Sequence, residues 1–136
     1  MKSLSIVWQR LVDSKGQTCD RCGATYKELK QAIKKLETSL EPLGIEPIIE
    51  IREIDSARFA NDPSQSNRIW IDDKPLEEWL SAGVSSSRCC NVCGDSECRT
   101  IELDNEVFEA IPAELILKAG LLAAAKKIGT NSRDTY

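Results

Sequence analysis

The chain has 136 residues, 22 acidic and 18 basic side chains, and no histidine. This length suits a single domain with its own hydrophobic core. The lysines are spread along predicted helices instead of forming a patch, which argues against nucleic acid as a partner. The lack of histidine excludes Ser-His and Cys-His nucleophile pairs and every mixed Cys/His metal site.

We expect no targeting or membrane segment in this chain. Its first residues run directly into a strand pattern, without the apolar stretch of a signal peptide. The longest apolar run, residues 119–125, is too short to cross a bilayer. We therefore expect a cytoplasmic protein with no membrane partner. In the cytosol, closely spaced cysteines are more often catalytic or metal-binding than structural disulfides.

The first half of the chain predicts a βαβ unit. Residues 4–12 carry apolar side chains on both faces, as a buried central strand requires. After a loop, apolar residues at spacings of three and four predict a helix that begins near Gly23 and stops at Pro42 and Gly44. The β-branched residues of 45–54 predict a second strand. Strands joined by such a crossover helix are expected to be parallel.

The second half predicts shorter elements. A third strand, a turn and a helical turn are expected over residues 68–72, 72–75 and 76–80. Small polar residues then lead into a cysteine-rich loop at 85–99.

The C-terminal part predicts a hairpin and a final helix. Strands 100–103 and 107–108 flank the turn residues Asp104 and Asn105. The helix begins at Pro112 and runs to about Lys127. Its apolar surface suits packing on the sheet and is also compatible with a homodimer. The prediction is one domain over residues 1–130, followed by a flexible tail at 131–136.

Cys19 and Cys22 are separated by two residues where the first loop meets the first helix. A helix N-terminus presents unpaired N–H groups and a partial positive charge, which stabilise a thiolate. The pair predicts a catalytic dithiol in which Cys19 attacks a protein or small-molecule disulfide and the more buried Cys22 resolves it. The alternative is two buried cysteines that serve packing alone.

Four further cysteines lie within ten residues: Cys89, Cys90, Cys93 and Cys98. Four thiolates can enclose a tetrahedral Zn²⁺, and the spacing also permits an iron–sulfur cluster. Neighbouring cysteines do not easily bind one ion together, so a redox relay with the first pair is a competing hypothesis. The sequence therefore fixes no cofactor, and a metal- or metalloid-binding protein without catalysis is the alternative function.

The order of elements resembles the thioredoxin superfamily. The segments RIWI at 68–71, PLEEWL at 75–80 and IPAELI at 111–116, together with the cysteine-rich loop, are similar to an uncharacterised prokaryotic thioredoxin-like family within the thioredoxin/glutaredoxin superfamily. This resemblance implies an α/β fold. It would contain a thioredoxin-like mixed sheet flanked by helices, with the cysteine-rich loop inserted before the final hairpin and helix.

The chain departs from the superfamily pattern at two positions. Thr18 stands where a tryptophan usually precedes the first cysteine. Ser66 and Asn67 stand where a proline normally precedes the third strand. In the superfamily, that proline lies in a loop that faces the dithiol and helps to present the substrate backbone.

Both cysteine groups are expected at one edge of the sheet. Parallel strands bring their carboxyl ends to the same side, where α/β folds usually have their chemistry. An antiparallel hairpin strand that enters from that side would begin there too. We predict that the loop over residues 89–98 folds over the dithiol, with at least one of its sulfurs near Cys19.

Overall fold

The computed structural model describes residues 2–12, 20–55, 57, 65–88 and 97–134. These residues form a mixed α/β fold. The strands, in chain order, are β1 (Lys2–Leu11), β2 (Ile45–Ile54), β3 (Arg68–Ile71), β4 (Lys74–Pro75), β5 (Gly83–Arg88), β6 (Glu97–Leu103) and β7 (Glu106–Phe108). The helices are α1 (Asp20–Leu40), a 3₁₀ turn (Glu41–Leu43), α2 (Leu76–Leu80) and α3 (Ala113–Asp134).

The first sheet contains four strands in the order β2-β1-β3-β4. β1 and β2 are parallel, which confirms the predicted βαβ unit, and β3 is antiparallel to β1. β3 and β4 form a tight hairpin because Asp72 and Asp73 both adopt left-handed backbone conformations, with φ of 50° and 66°. Two successive residues with positive φ are typical of the type I′ turn, whose twist matches that of the flanking strands.

The second sheet contains three antiparallel strands in the order β5-β6-β7. The predicted hairpin around Asp104 and Asn105 is confirmed as β6 and β7, and it belongs to this separate sheet. The strand β5 was not expected, because its sequence GVSSSR lacks apolar alternation. β5 forms because its backbone pairs with β6 along its whole length, although its side chains do not favour a strand.

The predicted bounds of the cysteine-rich loop, 85–99, overlap described strands at both ends. Residues 85–88 belong to β5 and residues 97–99 belong to β6. Residues 89–96 lie outside the described part of the chain.

The core lies where α1 and α3 cover one face of the first sheet. Leu4, Ile6 and Trp8 of β1 are fully buried there, as is Leu36 of α1. Gly120 of α3 lies so close to Leu36 that an added Cβ would come within 2.8 Å of a leucine methyl carbon. α1 begins at Asp20, before the expected Gly23, and α3 extends past Lys127. Among the described helices, none is long and apolar enough to span a membrane.

Candidate functional site

The candidate site lies at the edge of the first sheet where β1 and β2 end, which we call the carboxyl edge. Leu11 and Ile54, the last residues of these strands, are paired in register. β3 enters from the same edge, because its first residue, Arg68, pairs with Gln9 near the end of β1. The segment 65–67, which leads into β3, is therefore at the carboxyl edge. Cys22 lies in the first turn of α1, and its contact with this segment brings the helix N-terminus to the same edge.

Cys22 is the cysteine that the structure describes in full at this edge. Its side chain is 1% exposed, and its Sγ lies 3.7 Å from the Oγ of Ser66, which is completely buried. Either atom can be the donor in this contact. A hydroxyl beside a buried sulfur can accept a hydrogen bond from a thiol or donate one to a thiolate. It can therefore hydrogen-bond the sulfur in either protonation state.

Side chains of β1 hold the segment beside Cys22 in place. The indole Nε1 of Trp8 donates to Asn67 Oδ1 at 3.1 Å, and Gln9 Nε2 donates to the carbonyl of Gln65 at 2.8 Å. Asn67 has φ of 55°, a left-handed conformation that asparagine adopts more readily than most residues. Trp8 is itself fixed by a parallel stack on Tyr26 of α1, with ring centroids 5.2 Å apart. Ser66 therefore sits between two anchored neighbours.

The segment that follows β7 closes on the same region. Asn67 Nδ2 donates to the carbonyl of Glu109 at 3.4 Å. The backbone N–H of Ile111 donates to the hydroxyl of buried Thr25 at 3.0 Å. Thr25 lies three residues after Cys22, on the neighbouring part of α1. This segment thus joins the second sheet to the carboxyl edge.

The start of α3 is tied to α1 in the same way. The backbone N–H of Ala113 donates to Glu28 Oε1 at 3.2 Å. An acidic side chain at a helix N-terminus satisfies an otherwise unpaired donor and complements the helix dipole. Three stretches of chain that are distant in sequence therefore meet at the carboxyl edge.

The structure describes the predicted site cysteines unequally. Cys19 immediately precedes Asp20, the first residue of α1, and lies outside the described residues. Cys89, Cys90 and Cys93 also lie outside the described residues, whereas the backbone of Cys98 lies in β6 opposite Ser87. The predicted approach of the second cluster to Cys19 is untested. Within the described ranges, no group of three or more potential metal ligands is found.

Sequence reasoning missed the roles of Ser66 and Gln9. Ser66 was noted only as standing where a proline is expected, and its contact with Cys22 spans 44 positions of the chain. Gln9 carried a usable signal, because an uncharged polar residue near the end of an otherwise apolar buried strand needs a hydrogen-bond partner. That partner is the loop before β3.

Two comparisons with known proteins find matches over most of the chain. Residues 4–120 match the family model described as Domain of unknown function (DUF2703). An uncharacterized protein of Archaeoglobus fulgidus is 44% identical over 114 residues, which cover 83% of this chain and 82% of that protein. No solved structure matches the chain. With a match across most of its length, the chain belongs to the DUF2703 family.

Proposed function

We propose that this protein is a thioredoxin-like thiol–disulfide oxidoreductase with Cys19 and Cys22 as its dithiol. The observation that carries the proposal is the buried sulfur of Cys22 in the first turn of α1, in contact with the Ser66 hydroxyl. A βαβ unit followed by an antiparallel hairpin in the same sheet supports the thioredoxin-like fold. The burial of Cys22 suits a resolving cysteine, which never has to meet the substrate in solution.

The reaction requires two exchanges of sulfur partners. The Cys19 thiolate attacks one sulfur of a substrate disulfide, forms a mixed disulfide and releases the other substrate sulfur as a thiolate. Cys22, after losing its proton, attacks the Cys19 sulfur and releases the remaining substrate thiolate. The protein ends with a Cys19–Cys22 disulfide and has given two electrons to the substrate. A separate dithiol must reduce it again.

Ser66 has a defined part in the second exchange. Its hydroxyl can donate to the Cys22 sulfur once that sulfur becomes a thiolate, and a buried anion needs such a donor. The hydrogen bonds from Trp8 and Gln9 hold the segment around Ser66 beside Cys22. Ser66 is thus a positioning residue for the resolving step.

Two cysteine variants test the proposal. We expect Cys19→Ser to reduce a small aromatic disulfide no faster than the background rate of the assay without protein, because the attacking sulfur is gone. We expect Cys22→Ser to complete the first exchange and stop, so that intact-mass spectrometry finds the protein carrying half of the substrate. If Cys19→Ser reduces the substrate as fast as the wild type, the proposal is wrong.

Ser66→Ala is expected to slow the resolving step selectively. Hydrogen bonds to charged groups contribute about 1.5–3 kcal/mol, so release of the mixed disulfide should fall by roughly 10- to 100-fold. The first exchange, made by Cys19, should keep its rate, and stopped-flow kinetics separates the two phases. The matched control is Ser85→Ala, which removes an exposed hydroxyl from β5. Equal slowing of both phases would contradict the assigned role.

The backbone also supports a coupled relay with the second cysteine cluster. Ile101 of β6 lies opposite Phe108 of β7, and the strands are antiparallel. Residues 97–100, at the N-terminal end of β6, therefore lie toward the same side of the sheet as Glu109, which follows β7. The carbonyl of Glu109 accepts a hydrogen bond from Asn67. Cys89, Cys90 and Cys93 precede β6 in the sequence, and Cys98 belongs to it. Exchange between the two cysteine groups is an extension of the proposal, in which electrons pass from one dithiol to the other.

Metal binding by the second cluster is a second candidate function. The pairing of Arg88 with Glu97 and of Ser87 with Cys98 brings together the two chain positions that flank residues 89–96 in the sequence. Cys98 lies in β6, and Cys89 directly follows the last residue of β5 in the sequence. Elemental analysis of protein purified without oxygen tests this candidate. Zinc or iron in a stoichiometric amount would support it, and metal-free protein with the cluster joined by disulfides would favour the relay.

A further inference from the structure

The outer edge of β2 is a long surface of backbone and isoleucine side chains. Among the described strands, β1 alone pairs with β2, so its other side forms an edge of the first sheet. Ile48, Ile49 and Ile51 are 46%, 39% and 40% exposed, although isoleucine is usually buried. Long, flat apolar edges are uncommon in soluble proteins because they recruit further strands.

The hydrogen bonds at its two ends show which backbone groups of β2 face outward. Lys2 N donates to Gly44 O at 2.9 Å, and Val12 N donates to Ile54 O at 3.0 Å. In a parallel ladder the bonded residues alternate along the strand, so the even-numbered residues of β2 bond to β1. The N–H and C=O groups of Ile49, Ile51 and Glu53 therefore point away from the sheet.

We propose that β2 pairs antiparallel with β2 of a second copy of this chain, around a twofold axis at Ile51. Ile51 of each copy then exchanges both backbone hydrogen bonds with its counterpart, and Ile49 does so with Glu53 of the partner copy. The two four-stranded sheets become one continuous sheet. This inference is independent of the proposed redox function.

Charge complementarity selects this register. With the axis at Ile51, Glu50 of one copy lies directly opposite Arg52 of the other, and the symmetry creates this pair twice. An axis at Glu50 or at Arg52 would instead bring two like charges face to face. An axis at Ile49 would place Pro47 opposite Ile51, and proline has no N–H to donate. Within one chain, Glu50 and Arg52 already form an exposed ion pair.

The side chains beside this edge suit the same arrangement. Ile49 and Ile51 are paired in register with Ile6 and Trp8, so they share the face that α1 covers. An open groove there lies between β2 and α1 and includes Tyr26 and Ile33, flanked by the lysines of α1. In the proposed dimer, the two copies of Ile51 meet at the mouth of this groove, and Glu53 of the partner copy approaches its lysines.

A charge swap tests the register. We expect the wild type to have about twice the 15.1 kDa mass of the chain by light scattering at about 100 µM. Glu50→Arg should weaken the dimer at least about tenfold, since both symmetric pairs become repulsive, and Arg52→Glu should do the same. The double variant should restore the dimer. A monomeric wild type, or a double variant no better than the single ones, would overturn the proposal.

A second pair of variants separates this edge from the other exposed apolar surface. Ile51→Pro removes an N–H that points outward, so the β1–β2 ladder keeps its hydrogen bonds while the dimer loses its central pair. Leu122→Glu is the matched control on α3, where Leu122 is 41% exposed. We expect Ile51→Pro to be monomeric and to keep a circular dichroism spectrum like that of the wild type. We expect Leu122→Glu to stay dimeric. The reverse result would assign the dimer to α3 and overturn the proposal.

Discussion

Replacing Arg99 with methionine is expected to lower the free energy of unfolding by about 3–5 kcal/mol. Arg99 of β6 forms an ion pair with Glu77 of α2, and their side chains are only 5% and 12% exposed. Removing the cation leaves a buried carboxylate with no partner in the described part of the chain for its charge. Methionine keeps the length of the side chain, so the loss reports mainly on charge. Urea denaturation followed by circular dichroism measures it.

The double variant Arg99→Met/Glu77→Leu provides the control for this prediction. A buried ion pair often contributes little compared with apolar residues of similar volume, so removing both partners should recover most of the stability. Glu77 Oε1 has no hydrogen-bond partner among the described residues, which indicates an incompletely satisfied pair. If the double variant is as unstable as Arg99→Met, the ion pair is not the cause of the loss.

This ion pair connects the second sheet to α2. It links β6, which follows the cysteine-rich segment, to the helix that follows the first sheet. We expect Arg99→Met to weaken any coupling between the two cysteine groups while the reaction of Cys19 itself persists.

Trp8→Ala is expected to destabilise the fold by about 3–5 kcal/mol and to slow disulfide exchange as well. Trp8 is fully buried, stacks on Tyr26 and donates to Asn67. Its loss opens a cavity and removes the donor that anchors the segment next to Ser66. Thermal unfolding and exchange kinetics, measured at a temperature where the variant is folded, test the two effects separately.

Two further tryptophan variants show which effect comes from the hydrogen bond. Trp8→Phe keeps an aromatic ring against Tyr26 but cannot donate to Asn67, so it should be more stable than Trp8→Ala and still slow in exchange. Trp70→Ala is the control in β3, where Trp70 is half-buried and lies beneath the Arg68 guanidinium. It should lose stability and keep the exchange rate. Wild-type exchange in Trp8→Phe would contradict the anchoring role.

Local patterns were sufficient to predict the elements with strong side-chain signals. β2 and the helical turn α2 match their predicted bounds, because a β-branched run and a proline-led apolar segment mark them clearly. The hairpin at Asp104 and Asn105 was predicted for a similar reason, since these residues readily adopt left-handed conformations. Where local preference and tertiary pairing agree, the sequence is informative.

Elements that depend on long-range pairing were not predictable in this way. β5 has serines at its centre and exists through its ladder with β6. The contact of Cys22 with Ser66 depends on how α1 and the approach to β3 meet at the carboxyl edge, which no local pattern encodes. The spacing of Cys19 and Cys22 indicated a dithiol, whereas the neighbour that would assist it became visible only in the fold.

The most direct test of the central claim is to map the disulfide between Cys19 and Cys22. Trypsin cleaves after Arg21 and so separates the two cysteines into the peptides 16–21 and 22–27, while the second cluster lies in the peptide 89–99. After oxidation with glutathione disulfide and digestion without reductant, we predict that the peptides 16–21 and 22–27 are joined, and that dithiothreitol separates them. A Cys22 peptide that stays reduced, or that joins only the peptide 89–99, would contradict the account.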